Sequence, residues 1–248
     1  MKIAFLGKGG SGKSTLATAA VRHLHDKGYT TLAIDADHNM DLSFNLGVDS
    51  PARTLGADPS LIKRHIGLEP DADFSEARRT AEARGIVFRL APPDPFTSGV
   101  SVTLADRLHL IVAGPHTDAV RSGDNCSHSL AAPLKVYLPC LQLNANEAVV
   151  IDERAGTDPV ATGILCGVDC AVIVVEPTVH SVRIATHIAG ELSLSSVPYA
   201  FVQNKASGSE DVFAALPKPA TATVPRSPDG HVSSPAIESV LSALSARM

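Results

Sequence analysis

The segment Gly7-Lys8-Gly9-Gly10-Ser11-Gly12-Lys13-Ser14-Thr15 constrains this chain more than any other. It follows an apolar run, Lys2 to Leu6, and opens a helical pattern, Ser14 to Lys27. Glycine admits backbone conformations that let successive N–H groups turn toward one point, and the helix behind them adds the positive end of its dipole. A strand, a glycine loop and a helix in that order therefore form a cradle for phosphate. In this pattern Lys13 reaches the β/γ-phosphates of a nucleotide, the Ser14 hydroxyl ligates Mg²⁺, and Gly9, Gly10, Ser11, Gly12 and Thr15 line the cradle.

The other apolar runs are Thr31 to Asp35, Leu108 to Ala113, Ala148 to Asp152, Ala171 to Glu176 and Tyr199 to Gln203, with a helical pattern over Val179 to Leu192. Val149-Val150-Ile151 and Val172-Ile173-Val174-Val175 lack polar alternation, as strands covered on both faces do. The expected class is α/β: a mostly parallel, doubly wound sheet with helices on both faces, the P-loop NTPase fold. With 248 residues, 44% of them hydrophobic, residues 1–248 suffice for one sizeable core and read as one domain. Two stretches depart from the pattern. Residues 67–107, rich in charge, Pro and Gly, read as an insertion or lid-like excursion with a short helix near Ser75 to Arg84. Residues 217–248 read as a loose, proline-rich segment and a C-terminal helix with Ile237, Val240, Leu241 and Leu244 at helical spacing.

A formal net charge of −5, with 21 basic and 26 acidic residues, speaks against gripping nucleic acid or an anionic membrane as the main task. No apolar run reaches the length of a membrane helix, and the start MKIAFLG lacks the pattern of a signal peptide. Cys126, Cys140, Cys166 and Cys170 then read as reduced thiols in a cytoplasmic protein. Ile34-Asp35-Ala36-Asp37 ends the second strand, placing a carboxylate where nucleotide and metal bind in open α/β sheets. Asp37 is the candidate for orienting or deprotonating an attacking water, with an N-capping or turn carboxylate as the alternative. Asp152 closes the strand Ala148 to Asp152 and is the candidate to support Mg²⁺. Glu153 and Asp158 lack such an anchor and read as solvent-facing.

Lys8 makes the loop distinctive. The pattern KGGxGKS resembles the deviant P-loop of the MinD/ParA, nitrogenase iron protein, arsenite-pump and CooC-type ATPases. The resemblance implies ATP and ADP as ligands, hydrolysis of ATP, and a homodimer in which Lys8 reaches the phosphates held by the partner. It also marks Asp37 as part of a first switch, with His38 where the family usually has Pro, and Asp152 to Gly156 as a second switch. Asn204-Lys205 resembles the family's adenine pocket, with Val224-Pro225-Arg226 as its other wall. An amide at Asn204 can both donate to and accept from a base edge.

Three stretches look closest to the CooC branch, the ATPases that help insert nickel into carbon monoxide dehydrogenase: the first switch, the run Val150 to Asp158, and Val174-Val175-Glu176-Pro177 followed by Ser181-Val182-Arg183-Ile184-Ala185. That likeness implies a metallochaperone or maturation factor serving a client metalloenzyme or other protein partner, with no nucleic acid and no membrane. At the place of that branch's Cys-x-Cys pair stand Asp124 and Cys126, with His128 nearby. Two copies of Cys126 and Asp124 facing each other across a dimer would suit Zn²⁺ or Ni²⁺. A single thiol there also reads as an interface cysteine without metal. Two other outputs remain open: a positioning ATPase of the MinD/ParA type, and a nucleotide-switched carrier or reductase subunit resembling the nitrogenase iron protein.

Overall fold

The computed structural model describes residues 1–123, 127–156, 163–206, 211–227, 230 and 232–245. From the start run β1 (Lys2–Gly7), α1 (Lys13–Asp26), β2 (Thr30–Asp35), α2 (Asp41–Asn45), α3 (Leu61–His65) and α4 (Phe74–Ala83). The middle holds β3 (Phe88–Arg89), α5 (Pro95–Val100), β4 (Val102–Ala105), β5 (Leu108–Val112), α6 (Asp118–Arg121) and α7 (Leu134–Cys140). Then follow β6 (Leu141–Gln142), β7 (Glu147–Asp152), β8 (Cys170–Val175), α8 (Val179–Leu194), β9 (Tyr199–Ala206), β10 (Ala222–Pro225) and α9 (Ser234–Ser245).

Eight strands form one sheet in the order β10-β9-β8-β1-β7-β2-β5-β4. Every neighbouring pair is parallel except β4 with β5. The glycine loop thus leaves a central strand and reaches α1 at the carboxyl edge of the sheet. Strand β7 explains the apolar runs residue by residue. Val149 and Ile151 pack into one cluster with Tyr137 and Phe88, while Ala148 and Val150 pack into the opposite one with Leu16 and Val21. A third cluster joins Ile173 and Val175 of β8 to Val182, Ile188 and Leu192 of α8. Both faces are covered, so the polar alternation of a half-exposed strand has no place.

The 67–107 stretch differs from a loose lid. Its helix α4 starts where the Asp73 carboxylate accepts from Ser75 N at 2.7 Å and Glu76 N at 3.3 Å, an N-cap of the ordinary kind. Ala77 and Ala81 are fully buried against α7 in the cluster that also holds Phe88, Leu90, Phe96 and Val100. The stretch ends in β4, the antiparallel edge strand. Apart from α4, which matches the short helix expected near Ser75 to Arg84, these short elements escape a search for long periodic runs, although their apolar residues join one core cluster. The proline-rich tail likewise contains β10, whose Pro225 is tolerated because the strand lies at the sheet edge. Helix α9 returns Ile237, Val240, Leu241 and Leu244 to the face of α1.

Candidate functional site

The loop between β1 and α1 is bent through left-handed glycines, with φ of +78° at Gly10 and +96° at Gly12. Side chains are excluded there for a second reason: a Cβ on Gly7 would lie 2.5 Å from the Val174 carbonyl oxygen, and one on Gly12 would lie 2.2 Å from Asn204 Nδ2. Ser11 N donates to the Lys8 carbonyl at 3.1 Å. Ser11 is fully buried and its hydroxyl has no partner. Lys13 is also buried, which an ammonium tolerates only where carboxylate or phosphate faces it. Ser14 and Thr15 open α1 at the surface of the same loop, and Thr18 Oγ1 donates to the Ser14 carbonyl at 2.7 Å.

The two strands to one side of β1 deliver one acid each. Asp35 and Asp152 stand in register on β2 and β7. Asp152 is buried, and neither of its carboxylate oxygens has a hydrogen-bond partner of good geometry. Burial pushes its pKa up to about 7, opposed by the nearby Ser14 hydroxyl and Lys13 ammonium and assisted by Asp37 and Asp41. Two orphaned buried oxygens beside a serine hydroxyl and a lysine fit the oxygen-ligand chemistry of Mg²⁺. Asp37, also buried, holds Asn39 N at 3.2 Å through Oδ1. An added Cβ at Gly9 would meet the Ala155 Cβ at 3.5 Å, so the residues after Asp152 lie against the loop as the second-switch reading expects.

Five residues to which sequence reasoning gave no place in the site complete the arrangement. Asp35 accepts from Ser43 N at 2.8 Å and Asp37 N at 3.2 Å, and so holds the turn that carries Asp37. Burial raises its pKa to about 8 against those two bonds, with Asp152 and Asp37 adding to the rise. Its signal was its place at the end of a strand covered on both faces, where a carboxylate must be buried. Glu153, expected in solvent, is only 1% exposed: the chain continues from the sheet interior for one residue beyond β7, where Glu153 N donates to the Phe5 carbonyl at 3.2 Å. Glu176 directly follows β8, much as Asp152 closes β7. Finally, His38 and His116 stack beside Asp37, with ring centroids 4.3 Å apart.

Lys8 points within its own chain here, its ammonium 2.8 Å from Glu176 Oε1. Lys205 approaches Glu176 Oε2 at 3.2 Å and donates to the Gly10 carbonyl. Burial alone would raise the Glu176 carboxyl, but the two ammonium groups hold it below the usual value. Asn204 donates Nδ2 to the Ser11 carbonyl at 2.7 Å, bracing the loop. Asn204, Lys205 and Pro225 also line a cavity of about 120 Å³ with Gly12, Thr15 and Val224, at the place expected for a base. Asp124, Cys126 and Asp158 lie outside the described residues, and nothing in the structure bears on the ligand reading of the first two. Among the described residues, no cluster of three or more His, Cys, Asp or Glu side chains has the form of a metal site, and no helix is long and apolar enough to cross a membrane.

Comparison with known proteins agrees with this geometry. Residues 3–229 match the CobQ/CobB/MinD/ParA nucleotide binding domain family, CbiA. The carbon monoxide dehydrogenase accessory protein CooC of Rhodospirillum rubrum is 32% identical over 86% of this chain and 77% of its own. An ATP-binding protein of Methanocaldococcus jannaschii is 29% identical over 76% of this chain and 72% of its own. In fold, the chain is similar to the septum site-determining protein MinD of Pyrococcus horikoshii, solved with Mg-ADP (TM-score 0.62, 18% identity, 99% of this chain and 95% of that one). It is also similar to a plasmid partition protein of Borrelia burgdorferi bound to AMPPNP (TM-score 0.63, 17% identity, 100% and 99%). The chain belongs to the MinD/ParA superfamily of P-loop nucleotide-binding proteins and is CooC-like within it.

Proposed function

We propose that this protein hydrolyses ATP as a homodimer that closes on nucleotide, and that the coupled output is maturation of a metal centre in a client metalloenzyme. The observation that carries the hydrolysis is the meeting of buried Lys13, Asp37 and Asp152 around a loop that only glycine backbone can form. The amides of Gly9 to Ser14 and the Lys13 ammonium hold the β/γ-phosphates. Asp37 orients the attacking water. Ser14 and Asp152 would hold Mg²⁺, which supplies charge neutralisation to the phosphates when bound. Asn204, Lys205 and Pro225 flank the base. Lys8 leaves Glu176 to complete the partner's site, where its charge acts on the transition state. Residues 1–248 act as one unit, in the cytoplasm, with protein partners rather than nucleic acid or membrane.

The metal output rests on the likeness to the carbon monoxide dehydrogenase accessory protein and on Cys126 with Asp124 as dimer-interface ligands for Zn²⁺ or Ni²⁺. The test of the hydrolysis reading compares two lysines. Lys13→Ala abolishes ATP binding, whereas Lys8→Ala keeps ATP affinity within about threefold and loses hydrolysis by about a hundredfold or more, because a charge supplied only to the transition state spares the ground state. Equal loss of binding in both variants sinks the assignment of Lys8. Metal measured per dimer, with and without ATP in untagged protein, tests the output: no bound Zn²⁺ or Ni²⁺ under either condition removes maturation and leaves the ATPase.

A further inference from the structure

Two histidines beside Asp37 have no part in the mechanism above. His38 follows Asp37 directly and His116 comes from the loop after β5. Parallel pairing of β2 with β5, Asp35 opposite Val112, and the bond from Ala113 N to the Asp35 carbonyl at 2.7 Å bring the two loops together. The imidazole rings stack at 4.3 Å with 15° between their planes. His38 Nδ1 lies 3.1 Å from Asp37 Oδ1, with the His38 side chain 25% and the Asp37 side chain 12% exposed. His38 Nδ1 and His116 Nε2 are both buried nitrogens without a well-aligned hydrogen-bond partner, so each gains from a small change that supplies one.

Three charged or titratable groups face the His38 ring: Asp37 from its own turn, His116 from the loop after β5, and Arg154 from the segment after β7. Burial lowers its pKa, Asp37 pulls the other way, and Arg154 and His116 lower it further. A small turn of the ring that aligned Nδ1 with the Asp37 carboxylate would let a neutral imidazole donate to it and fix the direction of its second oxygen.

We propose that His38, held flat by its stack on His116, is a positioning residue for Asp37, fixing the carboxylate that aligns the water attacking ATP. This rests on the role of Asp37 proposed above. An imidazolium at His38 would bind Asp37 as an ion pair and repel Arg154, withdrawing the carboxylate from the water. Hydrolysis is therefore present while His38 is neutral and is lost as pH falls through its value, below the ordinary 6.5.

The experiment is steady-state ATP hydrolysis between about pH 5 and 8, with ATP binding measured separately, on wild type, His38→Gln, His116→Ala and His116→Phe. In His38→Gln, kcat near pH 8 falls between about ten- and a hundredfold, KM stays within about twofold, and the acid limb loses the His38 step, keeping only what Asp35 and Asp152, raised to about 8 and about 7, contribute. His116→Ala loses kcat in the same manner, and His116→Phe, which restores a flat ring, recovers most of that loss. Unchanged kcat and acid limb in His38→Gln overturn the proposal, as does loss of ATP binding in step with kcat, which is the mark of a merely structural role. A wild type that binds ATP without hydrolysing it overturns the ATPase reading and this proposal together. Hydrolysis by wild type that His38→Gln leaves intact overturns this proposal alone.

Discussion

Replacing Asp152 with asparagine is expected to make the nucleotide-free protein more stable while removing its response to Mg²⁺. Burial lifts this carboxyl from 3.8 in the unfolded chain to about 7 in the folded one. A raised value means that the folded state keeps a proton which the unfolded chain releases. The stabilisation is fully present below the unfolded value and is lost as pH rises through the folded value. At about 1.4 kcal/mol per tenfold change in proton affinity, the ionised group costs about 4 kcal/mol above pH 7. An amide of the same shape escapes most of this, less what it forfeits in attraction to Lys13, so the net gain at pH 8 is about 1–3 kcal/mol. Urea unfolding in chelator at pH 8 and pH 5 measures it, and the gain should shrink at the lower pH. With Mg²⁺ and a non-hydrolysed ATP analogue the ranking reverses, because only wild type gains binding energy through the metal. An asparagine variant no more stable than wild type at pH 8, or a gain as large at pH 5, would refute the reasoning.

Gly12→Ala should destabilise the fold by about 2–4 kcal/mol, combining left-handed strain with the lost bond from Asn204 to Ser11, and should abolish ATP binding; denaturant titration and nucleotide titration read the two effects. Glu176→Gln frees Lys8 and Lys205 from a partly buried ion pair worth about 1 kcal/mol, so ATP-dependent dimerisation should occur at about fivefold lower ATP concentration. Sedimentation at stepped ATP concentrations checks this, and an unchanged midpoint shows that the pair does not restrain Lys8.

The parts of the fold that were legible in the sequence are those where one requirement dominates. The runs at β1, β2, β5, β7, β8 and β9 must be apolar on both faces, and the glycine loop must be glycine, so both stand out without any tertiary information. Strands β4 and β10 are short edge strands, paired on one side only, and four residues such as Ala222 to Pro225 carry no period long enough to detect. The 67–107 stretch showed little beyond its one helix because its buried residues are spread over several short elements. At the candidate site, Lys13, Asp37 and Asp152 could be singled out from the sequence because a motif or a strand end marks them. Glu176 marks a strand end equally well, yet its role appears only when β8 is laid beside β1. His116 is 78 residues from His38, and only the register of β2 with β5 makes them neighbours.

The strand order explains why one edge of the sheet gathers so much charge. With β1 central and β7, β2, β8 and β9 parallel around it, every carboxyl end points the same way, and Gly7, Asp35, Asp152, Glu176 and Asn204 come from five adjacent strands. Parallel topology alone makes them a site, but it also makes them costly to keep. Asp35 and Asp152 hold carboxyls raised to about 8 and about 7, Lys13 is buried, and Ser11 has a buried hydroxyl without a partner. A hydrophobic residue at any of these positions would pack with less strain. Such a concentration of unfavourable burial is expected where a ligand, rather than the folded chain, supplies the missing partners. In the mechanism proposed above, phosphate would answer Lys13 and the loop amides, and a divalent cation would answer Asp152. Binding therefore relieves desolvation on several strands at once, which gives the nucleotide leverage over the turn held by Asp35 and, through His38 and His116, over the loop that follows β5.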